Sequence, residues 1–346
     1  MSDFSSPLIT KAFAPVNIAW IKYMGKNSGL PTNSSLSLTL ATLGTHTTMM
    51  AAHEVSNLSF EWDPTGYVPP MTGQKKAEDF LLNKNLWIEL LTQFNFECLF
   101  PQSKISIKTS NNVPAGTGIA TSASAFAALT LAWSAILAGP RQQEWIKLVQ
   151  SGEVRLRKAM AKVAAKGSGS SCRSLDGPWV EWNPEQGISV IDGGPTEWMD
   201  FIFLIESGPK QVPSSEAHQR VITSPHFQER AGRAEKRLAH LKALLKGNPN
   251  TIPQIQSLVL EEAMDMHDLF HTSQPPFRYM TSLSEEIASS SQLPSFKGVV
   301  TLDAGANVHL FVPLDQEHAC ESWIKSTYPE VKYLKDIAGY GAHYEE

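Results

Sequence analysis

The chain has 346 residues, 42% hydrophobic and 18% charged, enough apolar material for a sizeable core, which excludes a disordered chain. At about 150 residues per domain, that length corresponds to two domains or one two-lobed unit. With 29 Lys and Arg against 34 Asp and Glu, the net charge of -5 gives no general attraction to nucleic acid or to an anionic membrane, although a small anion can be held locally.

Residues 34–50 predict a strand, with Leu36, Leu38 and Leu40 alternating with Ser37 and Thr39. Residues 63–73 carry three Pro and two Gly and predict a turn-rich loop, followed by a helix over 75–94. Lys104–Lys108 predicts a strand around Ile105 and Ile107, and a glycine-containing loop over 111–121 leads into a buried helix over Ser122–Ala138. The membrane-like stretch, Ala123–Gly139, holds Ser124, Thr130 and Ser134 and is short for a span of about 20 residues, so a core helix is expected. One helix is expected over Gln143–Lys166, ending at Gly167. Strands are predicted over Trp179–Trp182 and Ile188–Ile191, and over Phe201–Ile205 near a lobe boundary. Gln228–Lys246 is a strong helix with Ala231, Ala234, Leu238, Leu241 and Leu245 on one stripe and Gly247 as its stop. Ile255, Leu258, Val259, Met266 and Phe270 form a second helical stripe, and Gly298–Leu302 and Val308–Val312 predict strands flanking Asp303–Asn307. Helices and strands mix without regular βαβ alternation, which points to an α+β protein.

Cys98, Cys172 and Cys320 are too few and too scattered for a disulfide framework or a zinc cluster. They fit a reducing compartment, and residues 1–10 show no secretory pattern, so a cytoplasmic location is expected.

Four segments can carry chemistry. The loop from Asn111 to Ser124 contains Pro114, Gly116, Gly118 and Ala120, then Thr121, Ser122 and Ser124. Small residues before a helix start let backbone N–H groups approach a phosphate, although the Gly-Lys-Ser/Thr ending of a Walker A loop is absent and a plain tight turn is the alternative. Gly167-Ser-Gly-Ser-Ser-Cys-Arg-Ser174 offers Ser168 and Ser170 as donors and Arg173 as a carboxylate clamp; a solvent-exposed linker is the alternative. Near the start, Lys22 sits beside Ile21 and Ala19, where a lysine needs an anionic partner or a shifted pKa, unless its stem reaches solvent. Asp303 stands at a strand end before a glycine turn, either capping that turn or aimed at a substrate hydroxyl or a magnesium ion. His267 and His271 share a helix face at metal-ligand spacing, but no His-Glu-x-x-His pattern or third ligand accompanies them, so a packed or surface pair is expected.

In this order, the four segments resemble the mevalonate diphosphate decarboxylases of the galactokinase, homoserine kinase, mevalonate kinase and phosphomevalonate kinase (GHMP) superfamily. Asn17-Ile-Ala-Trp-Ile-Lys-Tyr-Met-Gly-Lys26 is similar to the family's Asn-Ile-Ala-x-x-Lys-Tyr-Trp-Gly-Lys, with Pro31-Thr-Asn-Ser-Ser35 following. Residues 167–175 are close to its Gly-Ser-Gly-Ser-Ala-Cys-Arg-Ser-Leu, and Phe270-His271, Pro275-Pro276 and Asp303–Asn307 also fall into place. The resemblance implies a GHMP kinase-like two-lobed fold. An N-terminal lobe like domain 2 of ribosomal protein S5 would cover residues 1–192 and a ferredoxin-like lobe 193–346, with the active site between them.

It also implies a reaction: ATP and mevalonate 5-diphosphate would give isopentenyl diphosphate, CO2, ADP and phosphate. Asp303 would orient or deprotonate the 3-hydroxyl, Lys22 would hold Asp303 ionised, and Arg173 would fix the substrate carboxylate. Asn17, Ala19, Tyr23, Lys26, Ser168, Ser170 and Ser215 would surround the substrate. Pro114, Gly116, Gly118, Ala120, Thr121, Ser122 and Ser124 would cradle ATP, with Mg2+ bridging its phosphates. The implied partners are a small-molecule substrate and a second copy in a homodimer, with no nucleic acid and no membrane. Met24 stands where Trp is usual, Ala306 for Pro, Asp265-Met-His267 for Asp-Ser-Asn, Asp176-Gly-Pro178 for aromatic-Gly-Gly, and Ser215 for Arg or Thr. A phosphomevalonate decarboxylase, a mevalonate 3-kinase and a non-catalytic nucleotide-binding relative are the alternatives.

Overall fold

Residues 12–21, Ala-Phe-Ala-Pro-Val-Asn-Ile-Ala-Trp-Ile, are apolar on both faces and form most of β1 (Leu8–Ile21), which is buried almost throughout. The computed structural model describes residues 7–27, 30–54, 57–113, 121–206, 210–247 and 251–346. A short clip of β2 (Lys26–Asn27) and β3 (Leu30–Pro31) leads to β4 (Ser35–Glu54), antiparallel to β1. Shifts in the β1–β4 register fall between Pro15 and Asn17 and between Ala19 and Ile21. Bulges of this kind accommodate a strand proline and re-aim the residues that follow.

After β5 (Ser59–Trp62), the helix expected over 75–94 is two helices, α1 (Met71–Leu81) and α2 (Lys84–Thr92). Asn83 breaks them by accepting from the Leu86 N–H as the cap of α2. β6 (Ser103–Asn111) and α3 (Thr121–Leu137) follow the predicted strand and helix. α3 is a core helix, and among the described residues no single helix is long and apolar enough to cross a membrane. The helix expected over 143–166 is also two, α4 (Gln142–Gln150) and α5 (Val154–Gly167). Gly152 takes a φ of 73°, and Glu153 caps α5 by accepting from the N–H groups of Arg155 and Leu156.

β7 (Trp179–Asn183) and β8 (Gly187–Val190) complete the first lobe's meander. Residues 35–38 of β4 pair with β7, while its later residues pair with β6 on the same edge. The long strand thereby joins two halves of one sheet.

The second lobe is a four-stranded antiparallel sheet in the order β10 (Val299–Leu302), β11 (Val308–Pro313), β9 (Trp198–Phe203), β12 (Tyr333–Ile337). It carries α6 (Ser214–Arg220), α7 (Phe227–Leu245), α8 (Ile252–Thr272), α9 (Ser282–Ala288) and α10 (Glu317–Thr327). The predicted stripes are buried, except Ala231, which is partly exposed. Residues 343–344 return to the first lobe as β13 (His343–Tyr344) and pair with Ala12 and Phe13 on the free edge of β1. Trp20 of β1 joins the lobes: its ring lies 4.7 Å from Trp179, 5.6 Å from Trp198 and 5.3 Å from Phe311. The result is the two-lobed α+β fold.

Candidate active site

Asn17 and Ala19 are two residues apart on β1 and share a face, while Ile18 and Trp20 turn into the interlobe core. Where β1 ends, the chain turns through Lys22, Tyr23 and Met24 to Gly25. Gly25 has a φ of 90°, and a Cβ there would lie 2.2 Å from the Phe227 ring. Asn17, Ala19, Lys22, Tyr23, Met24 and Lys26 line one wall of a cleft of about 370 Å3 between the lobes. The other walls come from residues 165–170 and Arg173, from Lys210, Ser214, Ser215 and His218, and from Asp303 and Ala304.

Lys22 is buried at 2% exposure and finds its partner in Asp303, Nζ to Oδ1 at 2.5 Å. The Asp303 side chain keeps 26% of its surface open, so the carboxylate remains accessible. Burial pulls the Lys22 pKa down, with Asp303 opposing it. Burial also works against the Asp303 charge, but Lys22, His309 and Lys210 hold its carboxyl below the ordinary range. The pair therefore presents an ionised carboxylate beside a cation.

Both main chains are fixed from behind. The Lys22 N–H donates to Glu262 Oε1 at 3.0 Å, and its carbonyl accepts from Asn33 Nδ2 at 2.9 Å. The Asp303 carbonyl accepts from the Gly305 N–H at 2.7 Å and from His267 Nε2 at 3.2 Å. Asn307 Oδ1 closes the same turn by accepting from the Ile205 N–H at 2.7 Å. Thus Asp303 is held by strand, turn and helix together, and its side chain is left to the cleft.

The segment after Gly167 is not the exposed linker weighed as its alternative. Ser171–Ser174 form a buried 3-10 turn. Arg173 Nε donates to Asn17 Oδ1 at 3.1 Å and Ser37 Oγ at 3.0 Å, and Nη1 donates to Ser35 Oγ at 2.7 Å. Asn17 in turn donates Nδ2 to Ser174 Oγ at 2.9 Å. Among the described residues, the Arg173 guanidinium is held by neutral oxygens, which leave its charge uncompensated for an anion in the cleft.

Lys22, Arg173 and Asp303 thus converge with Asn17, Ala19, Tyr23, Lys26, Ser168, Ser170, Ser215 and Ser122 on one cavity. Ser124 does not join them: it is fully buried, with its Oγ 2.7 Å from Thr45 Oγ1. The reason is the α3 period, which turns Ser124 toward the sheet two residues after Ser122 faces the cleft. Pro114, Gly116, Gly118 and Ala120 lie outside the described residues, as does the side chain of Thr121.

Sequence reasoning missed Lys76, Lys166, Lys210, Ser214 and His218 as lining residues, and Ser35 and Ser37 as supports for Arg173. The two serines carried a signal, since they alternate with leucines on the strand opposite β1. His267 is packed rather than paired with His271 around a metal: its ring is buried and bonds the Asp303 main chain. Among the described residues, no group of three or more His, Cys, Asp or Glu could hold a metal ion.

The Diphosphomevalonate decarboxylase-like N-terminal domain family matches residues 14–190, and the Mevalonate 5-diphosphate decarboxylase C-terminal domain family matches residues 201–342. The diphosphomevalonate decarboxylase of Candida albicans is 29% identical over 96% of this chain and 90% of its own length. That of Saccharomyces cerevisiae is 30% identical over 92% of this chain and 81% of its own. Among solved structures, the mevalonate diphosphate decarboxylase of Legionella pneumophila is 32% identical, with a TM-score of 0.75 over 95% of this chain and 100% of that chain. The MDDEF complex with MVAPP, AMPPCP and magnesium is 27% identical, with a TM-score of 0.79 over 99% and 100%. With both domain families matched in order along one chain, this protein belongs to the diphosphomevalonate decarboxylase family.

Proposed function

We propose that the chain catalyses ATP-dependent decarboxylation of mevalonate 5-diphosphate to isopentenyl diphosphate, giving ADP, phosphate and CO2, through Lys22, Arg173 and Asp303. The observation that carries the reading is the buried Lys22–Asp303 pair facing Arg173 across the cleft. A tertiary alcohol is a poor leaving group, so phosphoryl transfer to the 3-hydroxyl must come first. Asp303, ionised and accessible, orients that hydroxyl and accepts its proton. Lys22 keeps Asp303 ionised and stabilises charge on the transferring phosphoryl group. Once phosphate departs from C3, the C–C bonding pair of the carboxylate fills the electron-deficient centre, and CO2 leaves. Arg173 holds the carboxylate in line for that step.

Lys76, Lys166 and Ser122 suit the phosphates of ATP. Mg2+, when bound with the nucleotide, would supply charge neutralisation for its phosphates. The same reading divides the chain into lobes at residues 192 and 193 and includes a homodimer in the cytoplasm.

The test is ATP-dependent release of CO2 from carboxyl-labelled mevalonate offered as the free acid, the 5-phosphate and the 5-diphosphate. Release with ADP is expected from the 5-diphosphate. Asp303→Asn is expected to lower kcat by about 10^3-fold while substrate binding persists. ADP without CO2, or an Asp303→Asn enzyme with ordinary turnover, would refute the assignment.

A further inference from the structure

The cleft contains a histidine that the chemistry above does not use. His218 sits on α6, one turn beyond Ser214, and lines the cavity with Lys26, Ser214 and Ser215. Two contacts fix its ring. The Gly25 N–H donates to His218 Nδ1 at 2.9 Å. The Tyr23 ring stacks on it, with centroids 5.1 Å apart and planes 19° from parallel.

Because Nδ1 accepts, the neutral imidazole carries its proton on Nε2. That N–H has no hydrogen-bond partner among the described residues, and Nε2 is not one of the buried atoms left unpaired, so it opens onto the cleft. Burial, and after it the charge of Lys26, pulls the His218 pKa down to about 4. The ring is therefore neutral at physiological pH and its tautomer is fixed. Lys26 supplies positive charge without direction; His218 supplies a donor with a set direction. The carboxylate and C3 end of the substrate is engaged by Arg173, Lys22 and Asp303, which leaves the phosphorylated end for this part of the cleft.

We propose that His218 is a specificity-determining residue that reads the substrate's diphosphate by donating Nε2–H to a phosphate oxygen, favouring the diphosphate over the monophosphate. This assignment rests on the decarboxylase reading above.

Two variants separate the donor from the ring's structural contact. His218→Asn keeps an acceptor for the Gly25 N–H but has no donor where Nε2 stood; His218→Gln restores a donor near Nε2 and loses the acceptor. We expect His218→Asn to raise KM for the 5-diphosphate by about 10–100-fold, the size of a lost hydrogen bond to a charged group, with kcat within about twofold. Its effect on the 5-phosphate should be smaller than about threefold, and His218→Gln should stay near wild type with both. The opposite ranking, or equal losses for both phosphates, would overturn the proposal.

A measurement on the wild type covers the case in which neither variant folds. In a 15N-histidine NMR spectrum, the 5-diphosphate should move one Nε2–H signal downfield and protect it from exchange, and the 5-phosphate should not. No such signal with the diphosphate bound overturns the proposal. Absence of CO2 release by wild type from every form of mevalonate is a distinct result: it removes the decarboxylase reading and this assignment with it.

Discussion

Tyr23 is the side chain on which the cleft's geometry turns. His218 stacks on its face, Trp182 meets it edge-on at 5.3 Å, and the Arg173 guanidinium lies 5.8 Å from its ring centre. Burial pushes its phenol up to about 12, so it stays a neutral donor. The absence of a side chain at residue 169 makes room for it: a Cβ on Gly169 would lie 2.4 Å from the Tyr23 hydroxyl. Gly169→Ala must therefore displace the tyrosine or the turn that carries Arg173. Because a displacement of about 1 Å can lower catalysis by about 10^2, we expect kcat/KM to fall by that order while the melting temperature changes little. Steady-state kinetics with a parallel thermal melt checks this, and unchanged kinetics would mean the turn yields without moving Tyr23 or Arg173.

At the scale of elements, α7 and α8 form a charged comb behind Lys22. Glu262 of α8 is fully buried; it accepts from the Lys22 N–H, from Arg230 at 2.5 Å and from Arg237 at 3.0 Å. Arg233 and Arg237 also bind Asp265, one turn along. Removing one partner of a buried pair leaves a bare charge, so Glu262→Gln should cost about 3 kcal/mol, read as a lower urea midpoint. A midpoint equal to wild type would show that Asp265, 3.6 Å from Arg230, neutralises that arginine alone.

Sequence pattern recovered the helices whose stripes face one core, such as α7, and the strands that alternate, such as β4. It missed the strand character of β1, because a strand buried on both faces has no alternation to detect. It fused two pairs of helices, because the breaks at Asn83 and at Gly152-Glu153 are local capping events inside continuous apolar periods. Lys22 was readable as a residue needing an anionic partner, and Asp303 as a turn cap or a carboxylate aimed at a hydroxyl or a magnesium ion. Their meeting across 281 residues is tertiary, and only the family resemblance anticipated it. His218 was not legible at all: Ser-Ser-Glu-Ala-His-Gln reads as an ordinary polar helix until Tyr23 and Gly25 are brought against it.

For the whole molecule, His267 and His218 both contribute to the acid limit of stability. Burial lowers His267 to about 3, with Lys22 and His271 adding to it, and His218 falls to about 4. In the unfolded chain both protonate near their ordinary value of about 6.5. Between these values the unfolded state binds more protons, so stability is fully present above pH 6.5 and is lost as the pH falls toward 4 and 3. Each contributes up to about 1.4 kcal/mol per pH unit in its window. His267→Gln removes one titration while keeping an amide donor near Nε2 for the Asp303 carbonyl. The acid side of its Tm profile is expected to be shallower than wild type, and identical slopes would remove His267 from the account.

The pairing of β13 on β1 has a consequence for synthesis. Phe13 meets His343, Ala12 meets Tyr344, and the Tyr344 hydroxyl reaches back to the Leu131 carbonyl at 3.0 Å. A ribosome that has finished the first lobe has yet to make the strand that covers its edge. At about 5–20 residues per second, the remaining half of the chain takes roughly 10–30 s to emerge. Throughout that interval β1 offers an open row of backbone donors and acceptors to any other strand. The nascent first lobe is thus a stage at which chaperone protection matters, and pairing of residues 343–344 closes the Ala12–Phe13 part of that edge.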